Sequence, residues 1–197
     1  MELVPALASQ KGGRLSHRGG QVEIFGPGRS AADPAPGDFI LTHANHLASR
    51  LIRVAQRQRM HGQDRVFAHW SHCAIVVAPD GTLVEAETAG VRRSPLSKYA
   101  DVEYHLVRLG PQVSATVREK AADYAKRKVG EPFGFADVAR ISLSLLTGLR
   151  LDFGRNEYLI CSGLVAAALV RAGARFEMEP ADMLPADLAK AYGVKPE

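Results

Sequence analysis

The first clear pattern of apolar positions is Asp38-Phe39-Ile40-Leu41-Thr42, a short run after a Pro/Gly turn that reads as a buried strand. From Asn45 to Arg59 the period becomes helical. Leu47, Leu51, Val54 and Ala55 make one face, and Arg50, Arg53 and Arg57 another. Arg59 to Asp64 is polar and turn-like. His69 to Val77 is rich in β-branched residues and predicts a strand. Pro79-Asp80-Gly81 then signals a hairpin, with Thr82 to Glu87 as the return strand. Val91 to Ser94 and Val102 to Leu109 predict further strands of the same antiparallel sheet.

Ser114 is the predicted N-cap of a helix to Val129, with Lys126, Arg127 and Lys128 in its last turn and Gly130 beyond it. Phe135 to Leu149 predicts a second, more apolar helix. Leu164, Val165, Ala168 and Leu169 predict a third, headed by Cys161 and stopped at Gly173. Pro180 to Tyr192 reads as a short helix or two. Residues 1–37 are punctuated by glycine and proline, with one strand at Gln21 to Phe25. This order predicts an α+β fold, an antiparallel sheet packed by helices. The expected organisation is a loop-rich N-terminal extension, 1–35, and a single domain, 36–197.

Composition narrows the class without naming a function. The chain has 197 residues, enough for one sizeable core, and its hydrophobic (46%) and charged (23%) fractions suit a soluble globular protein. A formal charge of +4 suits an anionic partner, but it is too weak to argue for nucleic acid, which is not expected. The arginine face of the first helix reads as a solvated side. It leaves a peripheral membrane contact as the sharper alternative. Two cysteines imply no disulfide framework. Met1-Glu2-Leu3-Val4-Pro5-Ala6-Leu7 lacks the basic region of a signal peptide and no run is long enough for a membrane span, so a cytoplasmic setting is expected.

The candidate chemistry starts at Cys161. The first turn of a helix has unpaired N–H groups and the positive end of the dipole, and both favour a thiolate. A cysteine seen alone is more often a buried core residue, so the question is whether a base accompanies it. A two-residue Asp80-Gly81 turn would pair Ala74 with Glu87 and Val76 with Glu85. His72, Ala74 and Val76 would then share a face with Glu85, Glu87 and Ala89. A histidine beside a carboxylate is the pair that activates a nucleophile. This register makes Glu87 the nearer acid. Cys73 faces the other way, which argues against a disulfide with Cys161 and against a reactive Cys73.

Five segments, in order, carry a resemblance: Gly37-Asp38-Phe39-Ile40-Leu41, Ser71-His72-Cys73-Ala74-Ile75-Val76, Leu83-Val84-Glu85-Ala86, Gly130-Glu131-Pro132-Phe133 and Tyr158-Leu159-Ile160-Cys161-Ser162. Over about residues 36 to 190 the chain resembles the circularly permuted branch of the NlpC/P60 superfamily. These are YiiX-like permuted papain-fold hydrolases, related to the lecithin:retinol acyltransferase group. The resemblance implies a permuted papain-like fold with its nucleophile at a helix N-terminus. It also implies Cys161 as nucleophile, His72 as base and Glu85, rather than Glu87, as the orienting third residue. The implied reaction is acyl transfer through a thioester, with the Cys161 backbone N–H as oxyanion donor and no cofactor or metal. Substrates of the right chemistry are small molecules, peptides, peptidoglycan fragments or lipids with an amide or ester bond. In one departure, Gly163 stands where relatives often have a carboxylate.

Other classes have less support. A zinc site from His69 and His72 with Cys73 or Cys161 has suitable ligand types, but the spacing is no compact motif and the two histidines would face opposite ways on a strand. A lipid acyl hydrolase or acyltransferase of the same fold stays open. A non-catalytic lipid- or nucleic-acid-binding protein would often have lost one of Cys161, His72 and Glu85. No GxSxG, phosphate-binding glycine loop or GxGxxG is present.

Overall fold

A computed structural model of the chain describes residues 20–43, 47–132 and 160–197. The helix predicted at Phe135 to Leu149 lies outside them. Six strands are found among the described residues: β1 (Gln21–Phe25), β2 (Phe39–Thr42), β3 (His72–Val76), β4 (Thr82–Glu87), β5 (Gly90–Pro95) and β6 (Tyr104–Arg108). They form one sheet in the order β1-β6-β2-β3-β4-β5, antiparallel throughout. The helices are α1 (Leu47–Arg59), α2 (Ala115–Arg127), α3 (Cys161–Arg171) and α4 (Pro185–Tyr192). The α+β expectation therefore holds. β1 pairs with β6, so this part of the lead-in is built into the sheet.

Both faces of the sheet are covered, which is why its central strands read as unbroken apolar runs. On one face Leu41, Cys73, Ile75, Val84 and Val107 pack in a cluster with Ala121 and Ala125 of α2 and Leu164, Val165 and Leu169 of α3. On the other, Ile40, Ala74, Val76, Leu83 and Leu106 are closed over by Leu96 and Tyr99, from a 3-10 turn at Leu96–Tyr99. Phe25 stacks on Tyr104 there, at 5.1 Å between centroids. α3 is buried from Cys161 to Ala166 and again at Ala168 and Leu169, as a helix apolar nearly all round should be. Each fully buried leucine in it contributes about 1.5–3 kcal/mol. Gly173, at φ 97°, ends the run as predicted.

Two buried polar side chains tie distant segments together. Asp38 accepts from the Leu109 N–H (2.9 Å) and from Arg118 Nη1 (2.7 Å), so it anchors the start of β2 to the end of β6 and to α2. Gln56 of α1 donates to the Trp70 carbonyl (2.7 Å) and accepts from the Ala186 N–H (2.8 Å). Trp70 in turn donates to the Val194 carbonyl (2.9 Å). These bonds clamp the C-terminal segment against the residues that lead into β3.

Two local expectations need correction. The strand predicted from His69 begins only at His72, because Gly62–His69 is a 3-10 helix and the Trp70 N–H still bonds back to Phe67. The hairpin is not a two-residue turn either. The Val77 N–H bonds to the Thr82 carbonyl (2.8 Å), and the Gly81 N–H closes back onto Ala78 (3.2 Å), leaving a four-residue loop. Asp80 Oδ1 closes that loop by accepting from the Thr82 N–H (2.8 Å) and hydroxyl (2.7 Å). Ile75 therefore sits opposite Val84, and Val76 opposite Leu83 rather than Glu85. A shift of two residues keeps every side chain on its face, so the facing argument survives the wrong register.

Candidate active site

β3 and β4 pair through Ile75–Val84 and Val76–Leu83. At the His72 end β3 pairs with β2, through Leu41–Cys73 and Thr42–His72. α3, which Cys161 heads, packs against β3 and β4. His72 Nε2 lies 2.8 Å from Glu85 Oε2. The same ring also hydrogen-bonds Cys161, which leaves Nδ1 for the sulfur. Cys161, His72 and Glu85 are thus brought together, although a carboxylate, an imidazole and a thiol from three elements have to converge.

Glu85 is fully buried, and it is the better satisfied of the two acids. It accepts from His72, from the Tyr99 hydroxyl (2.5 Å), from Lys98 Nζ (2.7 Å) and from Ser94. Burial alone would raise its pKa. The bonds from His72, Lys98 and Ser94 outweigh that and hold the carboxyl well below the usual range. Glu87 is 28% exposed and pairs with Lys98 (2.5 Å) and Arg92 (2.8 Å). Turn length does not decide between the two acids: carried past Ile75–Val84, the observed register would set Glu87 opposite His72, but the pairing stops there and the imidazole bonds to Glu85.

The electrostatics of the thiol and imidazole follow from the same contacts. Burial opposes charge on His72, but the neighbouring Cys161 sulfur and Glu85 raise its pKa to about 10. The Cys161 thiol is pushed well down, first by a hydrogen bond from Cys73, then by His72, against the cost of burial. Both shifts run in the direction that favours an imidazolium–thiolate pair. Tyr99 is pushed above its ordinary range by burial and by Glu85, so its hydroxyl stays a donor.

Cys73 keeps the facing expected of it and still lies beside the candidate nucleophile. It does face away from His72, but the side it faces carries α3, and both cysteines belong to one buried cluster. Both are free thiols, and they lie in hydrogen-bonding contact. Gly163 also has a structural account. A Cβ there would come within 3.0 Å of the Pro180 carbonyl oxygen, so a larger side chain would push the 3-10 turn at Pro180–Asp182 off α3. Ser162 next to it is buried and donates to the Met183 carbonyl (2.6 Å), which secures that contact.

Sequence reasoning missed Ser94, Lys98 and Tyr99. The last two lie in a four-residue 3-10 turn with no periodicity to mark it. The metal alternative gains nothing, since His69 stacks on His43 (4.3 Å) and edges onto Trp70 (5.0 Å) in the turn before β3. Among the described residues no three His, Cys, Asp or Glu side chains are grouped to hold a metal ion. Among them, too, no helix is long and apolar enough to cross a membrane.

A family model described as a permuted papain-like amidase enzyme, YaeF/YiiX, C92 family, matches residues 33–183, well over half of the chain. The match includes His72, Glu85 and Cys161. No curated protein matches the sequence.

Proposed function

The chain belongs to the permuted papain-like amidases, enzymes of cysteine amidase or peptidase type, and on that premise we propose that it cleaves an amide bond through a Cys161–His72–Glu85 triad. The observation that carries this reading is the position of His72, hydrogen-bonded to Glu85 at 2.8 Å through Nε2 and to Cys161 through its other nitrogen. In the proposed mechanism the Cys161 thiolate attacks the carbonyl carbon. The charge that develops on the carbonyl oxygen is met by the free N–H groups of the first turn of α3, that of Cys161 first. Ile160, the N-cap, has no side-chain cap hydrogen bond that would turn a side-chain oxygen toward those groups.

His72 then gives its Nδ1 proton to the leaving amine, and the C–N bond breaks to leave a thioester on Cys161. Neutral His72 takes a proton from water, which attacks the thioester and releases the carboxylic acid. The proton returned to His72 restores the ion pair. Glu85 keeps the Nε2–H in place through both steps, so that Nδ1 always faces the sulfur. Lys98 and Ser94 keep Glu85 charged even while His72 is neutral.

Profiling the protein against matched amide and ester libraries, with Cys161→Ala as control, tests the reading. Amide hydrolysis lost in that variant is expected. Turnover that survives it would overturn the assignment, and turnover confined to lipid esters would replace the amide reading with an acyl-ester one.

A further inference from the structure

Cys73, next to His72 on β3, also touches the candidate nucleophile, and it does so twice. The Val77 N–H points to β4, where it meets the Thr82 carbonyl. Alternate amides of a strand point the same way, so those of Ile75 and Cys73 do too. Pairing stops at Ile75–Val84. The Cys73 N–H, left without a β4 carbonyl, is hydrogen-bonded to the Cys161 sulfur instead. The Cys73 side chain projects to the helix face of the sheet, where both cysteines are packed, at 0% and 3% exposure. A thiol buried this deeply gains by bonding to its neighbour rather than standing unpaired. The thiol of Cys73 is held protonated by burial and by the charge on Cys161, which makes it a donor.

We propose that Cys73 is a positioning residue for the nucleophile, aiming the Cys161 sulfur and stabilising it as a thiolate through an S–H hydrogen bond added to that of its backbone amide. This rests on the reading of Cys161 as nucleophile. Three features make the residue type matter. A serine would keep a donor, whereas alanine and valine would remove it. All three keep the amide bond, so substitution isolates the thiol. A positioning thiol also accounts for a cysteine at a central, fully buried strand position, where Val, Ile or Ala would pack without a polar atom.

The test reads the rate of Cys161 alkylation by iodoacetamide against pH, by intact mass, and needs no substrate. In the wild type the midpoint lies well below that of an ordinary thiol. Cys73→Ala and Cys73→Val, one smaller and one larger than cysteine, should both raise it by about one pH unit, tenfold in the thiolate equilibrium. Cys73→Ser should stay within a few tenths of a unit of the wild type. Melting temperatures show which variants fold, and one folded non-donor variant beside the serine variant is sufficient. An unchanged midpoint in Ala or Val would overturn the proposal while leaving the nucleophile in place. So would a serine variant that shifts as far as they do, because the effect would then be packing. An ordinary midpoint for Cys161 in the wild type would instead overturn the nucleophile reading itself.

Discussion

Replacing Glu85 by glutamine keeps the shape of the side chain and removes its charge. The carboxylate accepts from His72 (2.8 Å), Tyr99 (2.5 Å), Lys98 (2.7 Å) and Ser94. An amide has one acceptor oxygen and two N–H donors, so in either orientation an N–H meets one of these donors. Hydrogen bonds to charged groups contribute about 1.5–3 kcal/mol each. At about 1.36 kcal/mol per factor of ten, losing the His72 bond alone costs roughly ten- to 150-fold in rate. Loss of the fixed tautomer adds to this, so a reduction on the order of a hundredfold or more is expected. Glu87→Gln disturbs a partly exposed pair with Lys98 and Arg92 and does not touch His72. Such pairs contribute about 0.2–1 kcal/mol, so less than about a fivefold change is expected. The assay is turnover per alkylatable Cys161, at temperatures well below melting. Lys98 keeps Glu87 as a partner, so Glu85→Gln should fold and melt several degrees lower. A Glu85→Gln enzyme within about fivefold of wild type, or a Glu87→Gln enzyme slower than it, would refute the reasoning.

Tyr99→Phe removes one neutral donor from Glu85 and should slow turnover about two- to tenfold, with little change in KM; a variant as slow as Glu85→Gln would mean that Tyr99 does more than position the acid. Peptide mapping after brief iodoacetamide treatment near neutral pH should find label on Cys161 and not on the buried, protonated Cys73; equal labelling counts against the nucleophile. Overnight treatment with a chelator should leave turnover unchanged, and a loss restored by zinc would revive the metal reading. Between the ordinary values of 6.5 for histidine and 9.0 for cysteine, the unfolded pair holds one proton, as the folded imidazolium–thiolate does, so stability should be flat there. Below 6.5 the unfolded chain gains a proton that the folded pair resists, and so do His69 and His105, whose pKa values are lowered; above 9.0 the folded pair keeps a proton that the unfolded chain has lost. Melting temperature should therefore fall on both sides of the plateau, and a monotonic profile would contradict the ion pair.

Elements with a strong local signal were legible. Thr82–Glu87 is the predicted return strand residue for residue, and Ser114 caps α2 by accepting from the Val117 N–H. α3 starts at Cys161 and stops at Gly173 as its apolar spacing and glycine require. What failed were features decided by contacts outside the local stretch. His69 looks like the first residue of a β-branched run, but Trp70 is held in the core by the Val194 carbonyl, and the chain before it winds as a 3-10 helix. Asp80-Gly81 looks like a two-residue turn, but Asp80 spends its side chain on Thr82 and widens the loop to four.

The site shows the same division at closer range. His72 and Glu85 could be put on one face from the pleat, because parity survives a register error of two. The choice between Glu85 and Glu87 could not, because it depends on which acid is enclosed, and the enclosing groups come from β5 and the turn after it. Nothing in Leu96-Ser97-Lys98-Tyr99 signals that Lys98 and Tyr99 bond to the same carboxylate. The facing of Cys73 is correct and argues against a disulfide with Cys161, and both cysteines are free. The missing fact was that α3 covers the face to which Cys73 points, next to the place where β3–β4 pairing stops. Gly163, which read as an absent acid, is a close approach to Pro180. A carboxylate placed there would have to displace the 3-10 turn that secures the first turn of α3, and with it the position of the Cys161 sulfur.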